Sequence, residues 1–354
     1  MIAAATPAFP ADIDVVIVAH NNLEPLRATL ESIASAGCPA GQTILVDVAS
    51  TDGTGAWAAQ RWPGICVIRL DTNNGPDPGR NAGIRHATRR FVLLMDADVQ
   101  IRPDTIPPLH AAMIADATIG VGSPIVVHVG QPDVIQYAGG DLHYICEAIN
   151  PWKDRPLSER GTHPLDIGAA PTCALLIDRD ASMRIGLFDD RYFIGKEDGD
   201  FCYRIRMAGL KIRELPESLV LHRSRPRGTW LFYYQVRNRW HFILKNFQWR
   251  TIIGILPPLI PYELMLLAVL VMKGHGLVYL KAVGGLLAML PALPGDRRLA
   301  RSIRVVPDRD LLKSGSLVIR KDLVGNPIVR AGQRTFERVL DVYWHILRHT
   351  LLIR

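Results

Sequence analysis

The sequence predicts an α/β fold in which a mainly parallel sheet is covered by helices on both faces, followed by a C-terminal region of different character. Short apolar runs, each flanked by turn residues, alternate with helical patterns in the first part of the chain. Strands that are apolar along their whole length are typical of parallel sheets, because helices bury both faces of such sheets. The predicted strands are Ile13–Val18, Thr43–Val48, Cys66–Leu70 and Phe91–Met95, and the clearest predicted helices between them are Leu23–Ala36 and Arg80–Arg89.

The distribution of charge divides the chain into two parts. From Arg223 onward there are 22 Lys and Arg residues against 7 Asp and Glu, a net charge of +15, whereas the preceding part carries −8. A change of sign on this scale is a boundary signal. We therefore predict one domain over residues 1–225 and a basic helical region over residues 226–354.

Composition excludes several classes of protein. A chain of 354 residues is long enough for about two domains. With 48% hydrophobic and 21% charged residues it is neither disordered nor collagen-like. The five cysteines form no C-x-x-C pair and no zinc-type cluster, so we expect reduced thiols in a cytoplasmic protein. Residues 1–14 contain no Lys or Arg and two prolines, so we expect no secretory signal there.

The basic region contains two long apolar stretches, Ile252–Met272 and Leu277–Leu293. The first has a spanning length but includes Glu263 and three prolines, and the second is short and rich in glycine. Apolar segments interleaved with aromatic and basic residues are typical of helices in the interface of an anionic leaflet. We therefore expect peripheral or shallow insertion at the cytoplasmic side of the inner (plasma) membrane. A true span, a re-entrant hairpin and a buried soluble core are the alternatives, and nucleic acid is not an expected partner.

Polar residues follow the predicted strands at the sheet edge where ligands of parallel sheets bind. Asp47 closes the second strand, and a carboxylate there can accept hydrogen bonds from a base; the following S-T-D-G also fits a helix cap. Asp96 and Asp98 follow the fourth strand, and two carboxylates one residue apart suit Mg²⁺ or Mn²⁺. His222, at the end of a short predicted strand, would be the third ligand of that metal site.

Two further segments carry candidate site residues. In the glycine-rich segment 73–87, Arg80 is expected to open a helix beside Asn81 and to hold a phosphate, with a surface arginine as the plainer alternative. Glu197 and Asp198 precede a predicted helix and are candidates for a carboxylate base, with a solvated acidic turn as the alternative. The absence of G-x-G-x-x-G and G-x-x-x-x-G-K-[ST] argues against dinucleotide oxidoreductases and P-loop NTPases.

These segments, taken in order, resemble those of the family 2 glycosyltransferases, which have the GT-A fold. The matching segments are IDVVIVAHNN (13–22), VDVASTDGTG (46–55), NNGPDPGRNAGIRHA (73–87), FVLLMDADVQIRPD (91–104), FDDRYFIGKEDGDFCYRIRMAG (188–209) and LVLHRS (219–224). Within the family, YYQVRNRWHFILKNF and the basic apolar tail resemble rhamnosyltransferase-like members that extend bacterial cell-surface polysaccharides on a lipid-linked acceptor.

The resemblance implies an inverting transfer from a nucleoside diphosphate sugar, with UDP or dTDP expected, to a hydroxyl of a lipid-linked or other glycan acceptor. It implies Mn²⁺ or Mg²⁺ as cofactor, with Asp98, Asp96 and His222 as the metal-binding residues. Asp198, with Glu197 beside it, would be the catalytic base. The residues that match nucleotide-sugar-binding positions are Ala19, Asn21, Asp47, Ser50, Asn74, Gly75, Arg80, Asn81, Asp96 and Ala97.

Three positions depart from the family pattern. Val48 follows Asp47 where members commonly have Asp or Asn, and His20 replaces the usual Tyr. QVRNRW at 235–240 is one residue longer than the Q-x-x-R-W motif of processive members, so we expect addition of one or a few sugars.

Two other functions compete with this interpretation. A sugar-nucleotide pyrophosphorylase would need a glycine-rich basic loop after the first strand, where the chain has VAHNN. A non-catalytic membrane-bound scaffold is the second, and the presence of both Asp98 and Asp198 argues against it. The segment Gly139–Trp152 is expected to help form the acceptor pocket, with aromatic side chains that stack on a sugar ring.

Overall fold

The computed structural model describes residues 8–224, 227–317 and 327–352. The predicted boundary between residues 225 and 226 lies outside the described residues. Residues 1–7, which belong to the segment 1–14 where no secretory signal is expected, also lie outside the described residues.

One large sheet occupies the centre of the first region. The strands of the described residues are β1 (Ile13–Ala19), β2 (Thr43–Val48), β3 (Cys66–Leu70), β4 (Phe91–Asp96), β5 (Val99–Ile101), β6 (Ile119–His128), β7 (Gln131–Tyr137), β8 (Asp141–Leu142), β9 (Ala148–Ile149), β10 (Leu165–Asp166), β11 (Ala174–Asp178) and β12 (Lys211–His222). The sheet runs in the order β10-β12-β6-β11-β4-β1-β2-β3, with β5 beside β12 and β7 beside β6. β8 and β9 pair separately.

The sheet is mainly parallel, as predicted. β3, β2, β1 and β4 are parallel neighbours, and so are β6 and β12. β11 is antiparallel to both β4 and β6 and joins the two parallel groups. The predicted strands therefore lie side by side, and their carboxyl ends share one edge.

Helices cover both faces of this sheet. The described α-helices are α1 (Leu23–Ser35), α2 (Thr54–Arg61), α3 (Pro76–His86), α4 (Ile106–Ala115), α5 (Arg179–Arg184), α6 (Glu197–Met207), α7 (Leu231–Asn246), α8 (Trp249–Met272), α9 (Gly276–Met289), α10 (Leu293–Ile303), α11 (Asp308–Leu311) and α12 (Pro327–His349). Alternate residues of β1 enter two cores: Ile17 packs in the core that includes α1, α2 and α4, and Val16 in the core that includes α3 and α6.

Two helices begin earlier than the sequence analysis expected. α3 begins at Pro76, so Arg80 lies in its second turn and does not open it. Gly75 takes the left-handed φ of 95° and Pro76 supplies the φ that a first helical residue needs. α6 begins at Glu197, directly after Lys196 with its left-handed φ of 74°, and its first turn holds three acidic residues, which are favoured there.

The five cysteines are unpaired, and Cys146, Cys173 and Cys202 are buried. Burial raises the pKa of Cys146 and of Cys202 to about 12, so these two thiols stay protonated.

The C-terminal helices pack against the first region through a shared core. That core joins Tyr144 and Tyr203 to Phe247 and Leu259. α8 continues through three prolines, and α8 and the helical run 276–303 are long and apolar enough, by length and composition, to cross a membrane. Only 33% and 11% of their most apolar windows are buried within the chain.

Candidate functional site

The carboxyl ends of β1 and β2 are tied together by predicted nucleotide-binding residues. The backbone N–H of Asn21 donates to Ser50 Oγ at 3.0 Å, and Asn21 Oδ1 accepts from the N–H of Thr51 at 2.8 Å. Asp47 is buried; its Oδ1 accepts from the N–H of Ser50 at 3.0 Å and its Oδ2 from Arg69 Nη1 at 2.6 Å. The sequence analysis did not point to Arg69.

In the S-T-D-G run, Asp52 binds the first N–H groups of two helices, although the N-cap residues of these helices, Asn22 and Gly53, make no side-chain cap hydrogen bond. Asp52 Oδ2 accepts from the N–H of Leu23 at 3.1 Å, and Asp52 Oδ1 from the N–H of Thr54 at 3.0 Å. The two residues that depart from the family pattern here are joined, because His20 Nδ1 lies 2.6 Å from the carbonyl oxygen of Val48. Ala19 pairs with Asp47 across the sheet.

Arg80 is buried and lies between two carboxylates, so the alternative of a surface arginine is wrong. Its guanidinium donates to Asp77 Oδ1 at 2.8 Å and to Asp96 Oδ1 at 3.0 Å. The same group lies 5.6 Å from the ring centre of Phe188. Arg80 therefore links α3 to the end of β4.

The other residues of this loop position the backbone. Buried Asn81 donates to the carbonyl oxygen of Phe188 and accepts from its N–H, both at 3.0 Å. A Cβ added to Gly75 would overlap the carbonyl oxygen of Phe193, so the loop approaches that segment closely. Asn74 beside it is exposed.

The predicted metal-binding residues come together as a pair. Pairing of β5 with β12 brings Asp98 Oδ1 to 3.6 Å from His222 Nε2, with each side chain 17% exposed. Asp96 contacts Arg80, and within the described ranges no group of three or more His, Cys, Asp or Glu is arranged to hold a metal ion. Ala97 is fixed between the aspartates by its N–H, which donates to the Val18 carbonyl at 3.1 Å.

The predicted base lies at the N-terminus of α6. Asp198 Oδ1 accepts from the N–H of Thr172 at 3.2 Å and also from its hydroxyl. Glu197 is buried, and its Oε2 has no hydrogen-bond partner in the described part of the chain. Burial, together with the negative charges of Asp198 and Asp77, raises the pKa of Glu197 well above its ordinary range.

Asp77 is a site residue that the sequence analysis missed. Its carboxyl group is buried beside Arg80, and its Oδ2 has no partner among the described residues. Burial, aided by the charges of Asp198 and Asp200 and opposed by Arg80, raises the pKa of Asp77 to about 7. The available signal was the spacing of Asp77 and Arg80, three residues apart on one helix.

Asp198 lines a cavity of about 710 Å³. The start of α6, the segment 169–171 and apolar residues of the C-terminal helices also line it. Those apolar residues are Leu231, Phe232, Met265, Leu266, Val269 and Phe336. The cavity therefore joins the predicted base to an apolar surface.

The segment Gly139–Trp152 contributes to this cavity, but differently from the expectation. Asp141, Leu142, Glu147 and Ala148 line it. Tyr144 is fully buried and stacks on Trp344 with ring centres 4.8 Å apart, so the expectation that it stacks on a sugar is wrong. Trp344 of α12 covers the ring of Tyr144, so a sugar cannot stack on it.

A buried ion-pair network supports the cavity. Glu147 accepts from Lys196 Nζ at 2.6 Å and from Arg239, whose Nε donates to Glu263 Oε1 at 2.7 Å. Although burial opposes the effect, Lys196 and Arg239 lower the pKa of Glu147 to about 2. The network connects the start of α6 with α7 and α8.

Comparison with known structures defines the class of fold. The chain resembles S. aureus TarS 1-349 in complex with UDP, with a TM-score of 0.53 and 18% identity over 95% of this chain and 91% of that one. It also resembles GalNAc-T7 with UDP, GalNAc and Mn²⁺, with a TM-score of 0.54 and 20% identity over 67% of this chain and 48% of that one. The chain has a GT-A-like fold.

Sequence comparison points to the same family as the resemblance. Residues 14–180 match the family described as glycosyl transferase family 2.

Curated relatives carry transferase names. A pre-mycofactocin glycosyltransferase of Mycobacterium tuberculosis is 28% identical over 222 residues, which are 60% of this chain and 43% of the relative. The chain thus matches less than half the length of that relative. The N-acetylglucosaminyl-diphospho-decaprenol L-rhamnosyltransferase of the same species is 27% identical over 230 residues, 59% of this chain and 75% of the relative.

Proposed function

We propose that this chain is an inverting glycosyltransferase that moves a sugar from a nucleoside diphosphate sugar, with UDP or dTDP as the nucleotide, to a hydroxyl of a lipid-linked glycan in cell-surface polysaccharide biosynthesis. The observation that carries the proposal is that Asp198 lines a cavity that apolar side chains of the C-terminal helices also line. The match of residues 14–180 to glycosyl transferase family 2 supports the reaction class. The rhamnosyltransferase relative supports a deoxysugar donor and a diphospho-lipid acceptor.

The catalytic step follows from the position of Asp198. Thr172 donates twice to Oδ1 and so orients the carboxylate, while Oδ2 has no partner in the described ranges and can accept a proton. Asp198 removes the acceptor hydroxyl proton as that oxygen bonds to the anomeric carbon. The bond from that carbon to the diphosphate breaks on the opposite side, and this single displacement inverts the configuration.

Asp98 and His222 would hold a divalent cation. Their facing oxygen and nitrogen suit Mn²⁺ or Mg²⁺, and Mg²⁺ in particular commonly takes one or two protein carboxylates and completes its shell with substrate phosphates and water. Such an ion neutralises negative charge on the leaving diphosphate. In this proposal Asp96 holds the Arg80 guanidinium in place and is not a metal ligand. The residues at 19–21, 47–50 and 74–81 bind the nucleotide.

The cavity fits an acceptor with a charged head and an apolar chain. Lys196, which precedes Glu197 and Asp198 in the chain, and Arg227 line it, and so do Met265, Leu266 and other apolar side chains. A diphosphate would pair with the former and a lipid chain would cover the latter. A relative named undecaprenyl-phosphate mannosyltransferase from Micrococcus luteus, 35% identical over 112 residues and 46% of its length, supports such an acceptor.

The same helices support a location at the cytoplasmic side of the inner membrane, on an anionic surface. Their apolar faces are largely uncovered within the chain. We propose peripheral or shallow insertion of these helices. We also propose that the enzyme adds one or a few sugars, because Arg239 of the QVRNRW segment is committed to buried ion pairs.

Substitution D198N tests the base. Because a general base contributes about 10²–10⁴-fold, we expect turnover to fall by about that factor while the donor nucleotide still raises the melting temperature in the presence of Mn²⁺. The matched control is D180N, since Asp180 is an exposed aspartate at the start of another helix, α5. Turnover of D198N equal to that of D180N would remove Asp198 from the base role.

A further inference from the structure

A second cavity, of about 590 Å³, lies at the start of α8 and shares no lining residue with the cavity of Asp198. It is bounded by the first turn of α8, by α10 and by the end of α12 near Leu352. Six basic residues line it, and none of the described lining residues is acidic. The basic residues are Lys245, Arg250, Arg297, Arg301, Arg304 and Arg309.

Part of this positive charge is not neutralised by the protein. Arg304 pairs with Asp308 at 2.6 Å, and Lys245 pairs with two buried aspartates. In contrast, no carboxylate of the described residues lies within ion-pair distance of Arg297 or Arg301. Burial and the like charges of Arg301 and Arg304 lower the pKa of Arg297.

Buried polar atoms around the cavity also lack partners. Thr251 and Asn246 are each 1% exposed, and within the described ranges Thr251 Oγ1, Asn246 Oδ1 and Arg297 Nε make no hydrogen bond. Buried polar groups in folded proteins almost always find a partner. Three residues that line the cavity therefore carry buried polar atoms that the described part of the chain leaves unpaired.

The N-terminus of α8 adds to the attraction of this cavity for an anion. α8 is 24 residues long and begins at Trp249, so the N–H groups of its first turn have no partner within the helix. The partial positive charge of a helix N-terminus favours phosphate groups. The N–H of Gln248 is already taken by Asp308 Oδ2 at 2.6 Å, so the following residues provide the donors.

We propose that this cavity binds a phosphate group, supplied either by the headgroup of an anionic phospholipid or by soluble phosphate. The headgroup is the source that the surroundings favour. Trp249, which is 51% exposed and lies under the Arg297 guanidinium, and Ile253, which is 63% exposed one turn further along α8, present an apolar face beside the cavity. The inference does not depend on the proposed transfer reaction.

Charge-matched substitutions on α10 test the site in the full chain. R301Q and R297Q each remove one cavity cation, whereas R298Q removes one exposed cation that does not line the cavity. Binding is measured with phosphatidylglycerol vesicles and with neutral phosphatidylcholine vesicles. The melting temperature is measured in inorganic phosphate and in chloride at equal ionic strength. Because Arg301 is exposed, R301Q is expected to fold normally, and its melting temperature in chloride checks this.

We expect R301Q and R297Q to lose about tenfold in affinity for the phosphate probe, as for loss of one charge-assisted hydrogen bond, and R298Q to stay within about twofold of the unmodified chain. Loss confined to anionic vesicles assigns the site to a lipid headgroup, and loss of the phosphate-specific rise in melting temperature assigns it to soluble phosphate. Equal behaviour of R301Q and R298Q with both probes, or no response of the unmodified chain to either, would overturn the proposal.

Discussion

At the scale of single residues, the dominant feature is the gathering of carboxyl groups around Arg80. Asp77 and Asp96 contact its guanidinium, and Glu197 and Asp198 act on it through space. One cation cannot neutralise four buried or half-buried carboxylates. Burial therefore raises the pKa values of Asp77 and Glu197, and protons remain bound there at pH values at which exposed carboxyl groups are ionised.

This charge balance predicts a pH dependence for stability. Because folding raises the pKa of Asp77 to about 7, the native state binds a proton that the unfolded chain releases above about pH 4, so stability falls as the pH rises from about 4 to 7. In D77N this contribution is absent, and the melting temperature should fall less over that window. Thermal unfolding at several pH values measures it, with D104N, at an exposed aspartate, as control. Parallel curves for D77N and the unmodified chain would contradict the expected protonation.

At the scale of elements, two glycines of α3 determine how closely this helix lies on the sheet. A Cβ at Gly79 would lie 2.8 Å from Val18 Cγ1, and a Cβ at Gly83 would overlap Val16 Cγ1. The small residues therefore let the helix that carries Asp77 and Arg80 approach β1. The position of Arg80 beside the end of β4 depends on this packing.

Substitution G83A tests that packing. Although alanine favours helix by about 0.5–1 kcal/mol, we expect a net loss of about 1–3 kcal/mol in the free energy of unfolding, because the methyl group overpacks the core. G284A on α9 is the matched control, since no atom lies within 4 Å of its added Cβ, and it should be neutral or stabilising. Denaturant unfolding compares the two variants. Equal stability of both would mean that α3 can move away from β1 at little cost.

At the scale of the whole molecule, Arg239 links the two predicted regions. It lies between Glu147 of the first region and Glu263 of α8, and all three side chains are largely buried. Substitution R239Q would leave buried Glu263 without its cation and Glu147 with Lys196 alone, at a cost of about 3 kcal/mol in the free energy of unfolding. R338Q, at an exposed arginine of α12, is the control. A melting temperature of R239Q equal to that of R338Q would mean that Arg239 does not stabilise the junction.

The basic, apolar C-terminal region predicts the mode of membrane contact. A peripheral helix region with a net charge of +15 should sediment with acidic vesicles and detach as salt is raised, because salt screens its attraction to the headgroups. Neutral vesicles are the control. Binding that depends on neither lipid charge nor salt concentration, or that resists carbonate extraction, would instead identify α8 as a membrane-spanning helix.

The sequence by itself determined the parts that depend on neighbouring residues. The apolar runs of β1 to β4, the D-A-D run at the end of β4, the E-D pair at the start of α6 and the charge reversal near Arg223 are all local patterns. Periodicity and turn residues encode them, so the fold class and the resemblance to family 2 glycosyltransferases could be read from the sequence. The helix starts at Pro76 and Glu197 were missed because glycine and lysine in left-handed conformations set them.

Only the tertiary structure decided which distant residues meet. Asp77 and Glu197 lie 120 positions apart, and Arg69 reaches Asp47 only because β2 and β3 pair in register. The cavity that we propose binds phosphate is likewise formed where the start of α8 meets α10 and Leu352. Such contacts follow from the way the elements pack, and the pKa shifts follow from the burial that this packing causes. No local sequence pattern encodes the contacts or the pKa shifts.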